Sequence, residues 1–353
     1  MILNYGWPNF RLSSSSTLVP MMGAMSSVAS LEADYTAITQ ACGVLDRSDR
    51  GKLALTGADA RPFLQGQVTN DVESLVPGSG CYAAFLTPKG KMLGDLRLLD
   101  TGDELLLDTE RVALQDLFNM IRRFSIGYRV ELHKRTLERS LLSLIGPAAD
   151  ELLQLAATAP AEPRTPCAPA DTECAHVLRR IGRTDVRLIR TDIGVDLLFA
   201  AGALDEVRGA LLDAGAAPVE EAAAECLRVE RGRPRYGVDL DDGVIPQEAG
   251  LNERAVSFTK GCYVGQETVA RLFYRGKPNR HLRGLRSPRP LAPGTELVYD
   301  GRAVGTVTSA AMSPRFGPIA LALVRREAPP GSVVSGTGDA SEVTAEVVEL
   351  PFS

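Results

Sequence analysis

The sequence changes texture near residue 278, and that change constrains the fold more than any single motif. Before it, strand-like and helix-like runs alternate. After it, short β-rich runs at Leu282 to Leu285, Glu296 to Tyr299, Val304 to Thr308, Ile319 to Val324 and Val343 to Leu350 are separated by Gly/Pro turns, Asp300-Gly301 among them. That pattern predicts a small β-barrel or sandwich over 279–353. Upstream, Lys52 to Thr56 alternates like a strand, and Tyr82 to Leu86 and Met92 to Leu99 flank Thr87-Pro88-Lys89-Gly90 as a hairpin. Amphipathic helices are predicted over Leu31 to Cys42 (capped by Ser30), Asp59 to Val68 (capped by Asp59), Val112 to Phe124, Ala148 to Leu155, Leu204 to Ala214 and Glu220 to Glu230. Strands are predicted at Leu141 to Ile145, Val177 to Ile181, Val186 to Ile189 and Val195 to Phe199. Strand pairs interrupted by helices, without a βαβ series, predict an α+β body over 29–278. Residues 159 to 173, rich in Pro, Ala and Thr, read as an excursion. Residues 1–28 read as a flexible extension, or as a start placed ahead of Met22 or Met25.

With 353 residues, 44% hydrophobic and 24% charged, the composition is that of an ordinary globular chain. A net charge of −5 argues against a protein whose whole surface serves nucleic acid, and no DNA partner is expected. No run of 18 apolar residues predicts a membrane span. Cys42, Cys81, Cys167, Cys174, Cys226 and Cys262 are scattered without a C-x-x-C pair, which predicts reduced thiols in the cytoplasm. The three histidines stand far apart, so no metal site is expected.

Between Thr259 and Glu267, Gly261 and Gly265 bracket Cys262 and Tyr263, with Lys260 upstream. Glycines so placed suit a sharp bend or a close approach. A thiol beside a cation ionises more readily, although a free cysteine also serves as a small buried hydrophobe. Lys260-Gly261-Cys262-Tyr263-x-Gly265-Gln266-Glu267 resembles the signature of the YgfZ-like folate-binding proteins, relatives of the glycine cleavage T-protein (aminomethyltransferase). Gly57 to Asp71 resembles the first folate-family block, and Cys226 to Asp239 with Pro246-Gln-Glu248-Ala-Gly250-Leu251 the second. The resemblance covers roughly 33 to 350 and thins between 130 and 220.

The resemblance implies a two-part folate-binding body surrounding a central cavity, followed by a C-terminal β-barrel, with tetrahydrofolate as the ligand. Glu248 would grip the pterin through a bidentate, charge-assisted contact. Gln67 and Asn70, with two-way hydrogen bonding, would match a pterin edge; alternatively Asn70-Asp71 is a turn. In the relatives an aspartate at the place of Asp95 lies near the reacting folate nitrogen. A carboxylate within an apolar strand must otherwise face solvent or a partner such as Arg97 or Lys91. Arg228 and Glu230 read as structural pairs. From Lys260 to Arg289 there are eight basic residues against one acid. Arg280 among them is the choice for the folate's glutamate tail, and the few aromatics weaken a single-strand RNA reading.

The function implied is a tetrahydrofolate-binding accessory role in iron–sulfur cluster assembly or repair. Its partners would be client proteins or assembly factors, Cys262 its reactive thiol, and Lys260 the cation favouring the thiolate. One cysteine does not hold a cluster alone. The alternative is a folate-dependent aminomethyltransferase or demethylase using Asp95.

Overall fold

The computed structural model describes residues 28–157, 169–337 and 342–353. The architecture is mixed α+β: two sheets form the body and a closed six-stranded barrel ends the chain. One body sheet is five-stranded, in the order Gly80–Leu86, Met92–Asp100, Leu105–Thr109, Gly51–Thr56, Glu131–Lys134. The other is six-stranded, in the order Ala217–Pro218, Gly43–Asp46, Arg139–Ile145, Gly194–Ala200, Thr184–Thr191, His176–Ile181.

Alternation along the strands decides what the two sheets show each other. In Met92–Asp100, Leu96 and Leu98 join Phe85 and Leu107 in the main hydrophobic core. In Gly194–Ala200, Val195, Leu197 and Phe199 enter a second core under the Leu204–Asp213 helix. The opposite faces, carrying Asp95 and Arg97 on one sheet and Ser143 and Asp196 on the other, turn toward each other. Further along these faces Leu99, Leu106, Leu141, Ile189 and Leu198 meet in a small apolar cluster. The sheets therefore close on leucines at one end and leave a polar gap at the other.

The barrel runs Arg280–Arg286, Gly317–Arg325, Arg302–Ser313, Glu296–Tyr299, Val333–Thr337, Glu342–Val348. Asp300 and Gly301 take positive φ of 48° and 72°, the two-residue turn that matches strand twist. Leu282, Ile319, Leu321, Leu323 and Phe352 extend the main core into the barrel. A polar seam fixes the docking: Asp239 accepts bonds from Thr308 Oγ1 (2.5 Å), Ser309 Oγ (2.7 Å) and Arg228 Nη1 (2.6 Å). Beside it Glu230 accepts bonds from Tyr35 Oη and Ser313 Oγ, tying the Val28–Gln40 helix to the barrel.

Several local expectations need correction. Ser30 lies inside the first helix, Val28–Gln40, and does not cap it. Asp59 stands at the N-cap position of Ala60–Gln65 but makes no cap bond, because its carboxylate accepts the Arg129 backbone N–H and guanidinium instead. The strands Glu131–Lys134 and Val333–Thr337 and the helix Gln266–Arg275 were not foreseen. That helix places Val269, Leu272 and Phe273 at i, i+3 and i+4, a short apolar stripe of which only Val269 is buried. The extension expected over 1–28 lies outside the described residues except for Val28, as does most of the 159–173 excursion.

Candidate functional site

The polar gap between the sheets is a cleft of about 170 Å³. Its walls come from both sheets, the Glu221–Glu230 helix and the segment after it, and Arg254. Nine arginines and five acidic residues line it, and Asp108, Glu221, Glu225 and Asp239 just behind the wall pair with those arginines, so most of its charges are matched. It meets a larger groove of about 1070 Å³ at Arg190 to Ile193 and Arg231. That groove is shared between the body and the barrel, with Phe316 and Phe352 on the barrel side.

The floor of the cleft is an ion-pair network. Arg97 reaches across the gap to Asp196 (2.5 Å) and back to Asp108 (2.5 Å), and Ser143 Oγ donates to Asp196 (2.6 Å). Arg50 also pairs with Asp108 and with Glu110. Although burial opposes ionisation, Arg50 and Arg97 together hold the Asp108 carboxyl down to about 2.

Asp95 behaves in the opposite sense. In the antiparallel pair Tyr82 lies opposite Arg97 and Ala84 opposite Asp95, so Tyr82, Asp95 and Arg97 share the cleft face. Asp95 is buried and pairs with neither Arg97 nor Lys91, the partners expected of an outward-facing residue; Tyr82 Oη donates to its Oδ2 at 2.5 Å. Burial raises the Asp95 carboxyl to about 6, against the pull of the Tyr82 bond. The same burial raises the Tyr82 phenol well above its ordinary value. Above Tyr82, 4.2 Å from the ring centroid, lies the guanidinium of Arg254, which pairs through Nε and Nη2 with Glu173. Asp95 thus has one oxygen held by a phenol, is itself buried in the cleft wall, and has an affinity for protons suited to exchange near neutral pH.

The other expected site residues fall elsewhere. Glu248 and Arg280 form a bidentate pair (3.1 and 3.0 Å), and Glu248 also accepts the Ile245 N–H; neither lines the cleft. Asn70 touches the site indirectly, its Nδ2 donating to the Tyr82 and Arg254 carbonyls. Its neighbour Thr69, fully buried, accepts from the Ala84 N–H and donates to the Ala255 carbonyl. Together they buckle the strand of Tyr82 to the helix of Arg254. Gln67 lies in the same turn, with its buried Oε1 outside any hydrogen bond among the described residues.

Lys260 does not reach the cleft. Its Nζ donates to the carbonyls of Gln65 (2.6 Å), Val68 (2.7 Å) and Asn70 (2.8 Å), and burial draws its ammonium down to about 8. The thiol its charge acts on is that of Cys81, which burial nonetheless pushes up to about 12. Cys262 is the exposed cysteine among the described residues; Cys42, Cys174 and Cys226 are buried and Cys81 half-buried. The bend expected from the two glycines is made by Gly265 alone. Its φ of 84° is left-handed, and a Cβ there would lie 2.6 Å from the Thr87 carbonyl oxygen of the hairpin.

Sequence reasoning missed Tyr82, Glu173, Asp196 and Arg254. One signal was available: Val195-Asp196-Leu197 places a lone acid in an apolar strand, as Gly94-Asp95-Leu96 does. Among the described residues no helix is long and apolar enough to cross a membrane.

The GCVT N-terminal domain matches residues 23–260, and the glycine cleavage T-protein C-terminal barrel domain matches 280–353. A putative chloroplastic transferase of Arabidopsis thaliana is 28% identical, over 87% of this chain and 71% of its own. An aminomethyltransferase of Rubrobacter xylanophilus is 30% identical, over 92% of this chain and 86% of its own. Among solved structures, the glycine cleavage system aminomethyltransferase T of Bartonella henselae superposes with a TM-score of 0.81 at 23% identity, covering 92% of this chain and 89% of that one. With both domains matched in order along one chain, the protein belongs to the glycine cleavage T-protein family.

Proposed function

We propose that the protein binds tetrahydrofolate in the cleft between its body sheets and carries out one-carbon transfer of the aminomethyltransferase type there, with Asp95 as the proton-handling group. The observation that carries this reading is a buried carboxyl poised near 6 whose Oδ2 is fixed by Tyr82 while the rest of the group faces the cleft. The donor set suits a reduced folate: a proton acceptor for an amine, an aromatic ring, and guanidinium groups able to take a carboxylate. When bound, tetrahydrofolate supplies the amine nitrogens that take up the one-carbon unit. Asp95 holds or accepts a proton at its free oxygen, and Tyr82 orients that carboxyl. Incubating the protein with tetrahydrofolate and an aminomethyl donor tests this. Methylene transfer is expected from the wild type and loss of at least about 100-fold from Asp95→Asn, the order contributed by a positioned proton-transfer group. Binding without transfer would overturn the catalytic part.

A second reading is favoured by one observation, the exposed thiol of Cys262 on a segment anchored by Lys260 and Gly265. It is the YgfZ-like one: a tetrahydrofolate-binding accessory protein for iron–sulfur clients or their assembly factors. Cys262→Ala separates the two, since it leaves transfer at Asp95 intact and removes only the accessory activity.

A further inference from the structure

We propose that Arg254 is a carboxylate-binding residue of the cleft and that a carboxylate-bearing ligand exchanges there with Glu173. This rests on the folate reading above and adds to it the group that seats the ligand's anionic end. Arg254 presents the edge of its guanidinium, Nε and Nη2, to both oxygens of Glu173, the geometry by which arginine recognises carboxylates. Its plane is fixed by stacking on Tyr82, and the Asn70 side chain bonds its backbone carbonyl. The residue is therefore preorganised from two sides.

Its partner is not. Glu173 lies in a turn outside any helix or strand, and its side chain keeps 29% of its exposure, so its carboxylate can swing into water while an incoming carboxylate takes over the charge of Arg254. The contrast with the neighbouring arginines is direct: Arg97 and Arg228 are held by Asp108, Asp196 and Asp239, all buried, and releasing those carboxylates would strand them. Arg47 and Arg235 also have a partly exposed partner in Glu221, but Arg254 is the arginine stacked on the ring whose hydroxyl binds Asp95. A carboxylate on Arg254 is thereby set close to the reactive group. Two kinds of ligand carry such a carboxylate: the glutamate end of a folate, and a small amino acid bound beside it.

The full chain and its Glu173→Gln variant are titrated calorimetrically with tetrahydrofolate, with tetrahydropteroate (the same molecule lacking glutamate) and with N-methylglycine. Removing the internal competitor should tighten binding of the exchanging carboxylate roughly tenfold, the worth of one charge-assisted pair. Tighter tetrahydrofolate with unchanged tetrahydropteroate assigns the site to the folate tail. Tighter N-methylglycine with both pterins unchanged assigns it to a small amino acid. If every carboxylate ligand binds Glu173→Gln equally or more weakly than the wild type, the proposal is overturned. Glu173→Ala repeats the comparison should the amide perturb the turn. Failure of tetrahydropteroate to bind the wild type would sink the folate reading instead, while the N-methylglycine titrations would still decide the role of Arg254.

Discussion

Replacing Asp95 by asparagine should make stability respond to pH in a way that isolates this carboxyl. Unfolded, the group titrates near the ordinary 3.8; in the folded cleft it titrates near 6. Between those values the folded chain keeps a proton that the unfolded chain has lost, so the contribution of Asp95 is fully present below about pH 4 and is lost as pH rises through 6. A displacement of about two pH units corresponds to roughly 3 kcal/mol. The amide of Asp95→Asn is neutral throughout, and its carbonyl oxygen can still accept the Tyr82 hydroxyl. The variant should therefore gain about 3 kcal/mol relative to the wild type on going from about pH 4 to about pH 7.5. Urea unfolding of both proteins at several pH values between these limits reads the difference, and all other titrating groups cancel from it. A flat difference would refute the claim that burial dominates this site. A difference of opposite slope would mean that the nearby arginines Arg50 and Arg254 outweigh burial and hold Asp95 ionised.

Three further outcomes follow from the same geometry. Arg97→Met leaves Asp196 with Ser143 as its polar partner and should cost roughly 3–5 kcal/mol in urea unfolding, as does breaking a buried pair; a cost below about 1 kcal/mol would show that water replaces the guanidinium. Lys260→Met removes three bonds to the Gln65–Asn70 turn and should lower stability by about 2–4 kcal/mol, and unchanged melting would contradict the anchoring role. Iodoacetamide under native conditions should label Cys262 ahead of Cys42, Cys81, Cys174 and Cys226 by peptide mass spectrometry; prior labelling of Cys81 would contradict the exposure order.

The fold was legible where periodicity was strong. The Tyr82–Leu99 hairpin, the amphipathic Leu114–Phe124 helix and the Gly/Pro-punctuated barrel all stand within a few residues of their predicted bounds. The Gln266–Arg275 helix escaped although Val269, Leu272 and Phe273 stand at helical spacing, because the period lasts a single turn between Gly265 and Gly276; Phe258 stacked on Phe273 at 3.7 Å adds a contact from outside it. The site was legible only at Asp95, where a charge interrupts an apolar strand. Tyr82 looked like any strand aromatic, and Arg254 and Glu173 become neighbours only when segments 81 residues apart fold together. The polar residues of the first block, Gln67 to Asn70, read as ligand donors because their groups could bond a pterin. In the folded chain the bonds of Thr69 and Asn70 go to backbone, a choice that composition does not reveal.

The central claim is that the gap between the two sheets is a binding site. A crystal structure of the protein grown with tetrahydrofolate tests it most directly. The account predicts pterin density against Tyr82 and Asp95, with a carboxylate or Glu173 on Arg254. Density lodged instead in the groove beside Phe316 and Phe352, or pterin held by Glu248 and Arg280 outside the cleft, would contradict it.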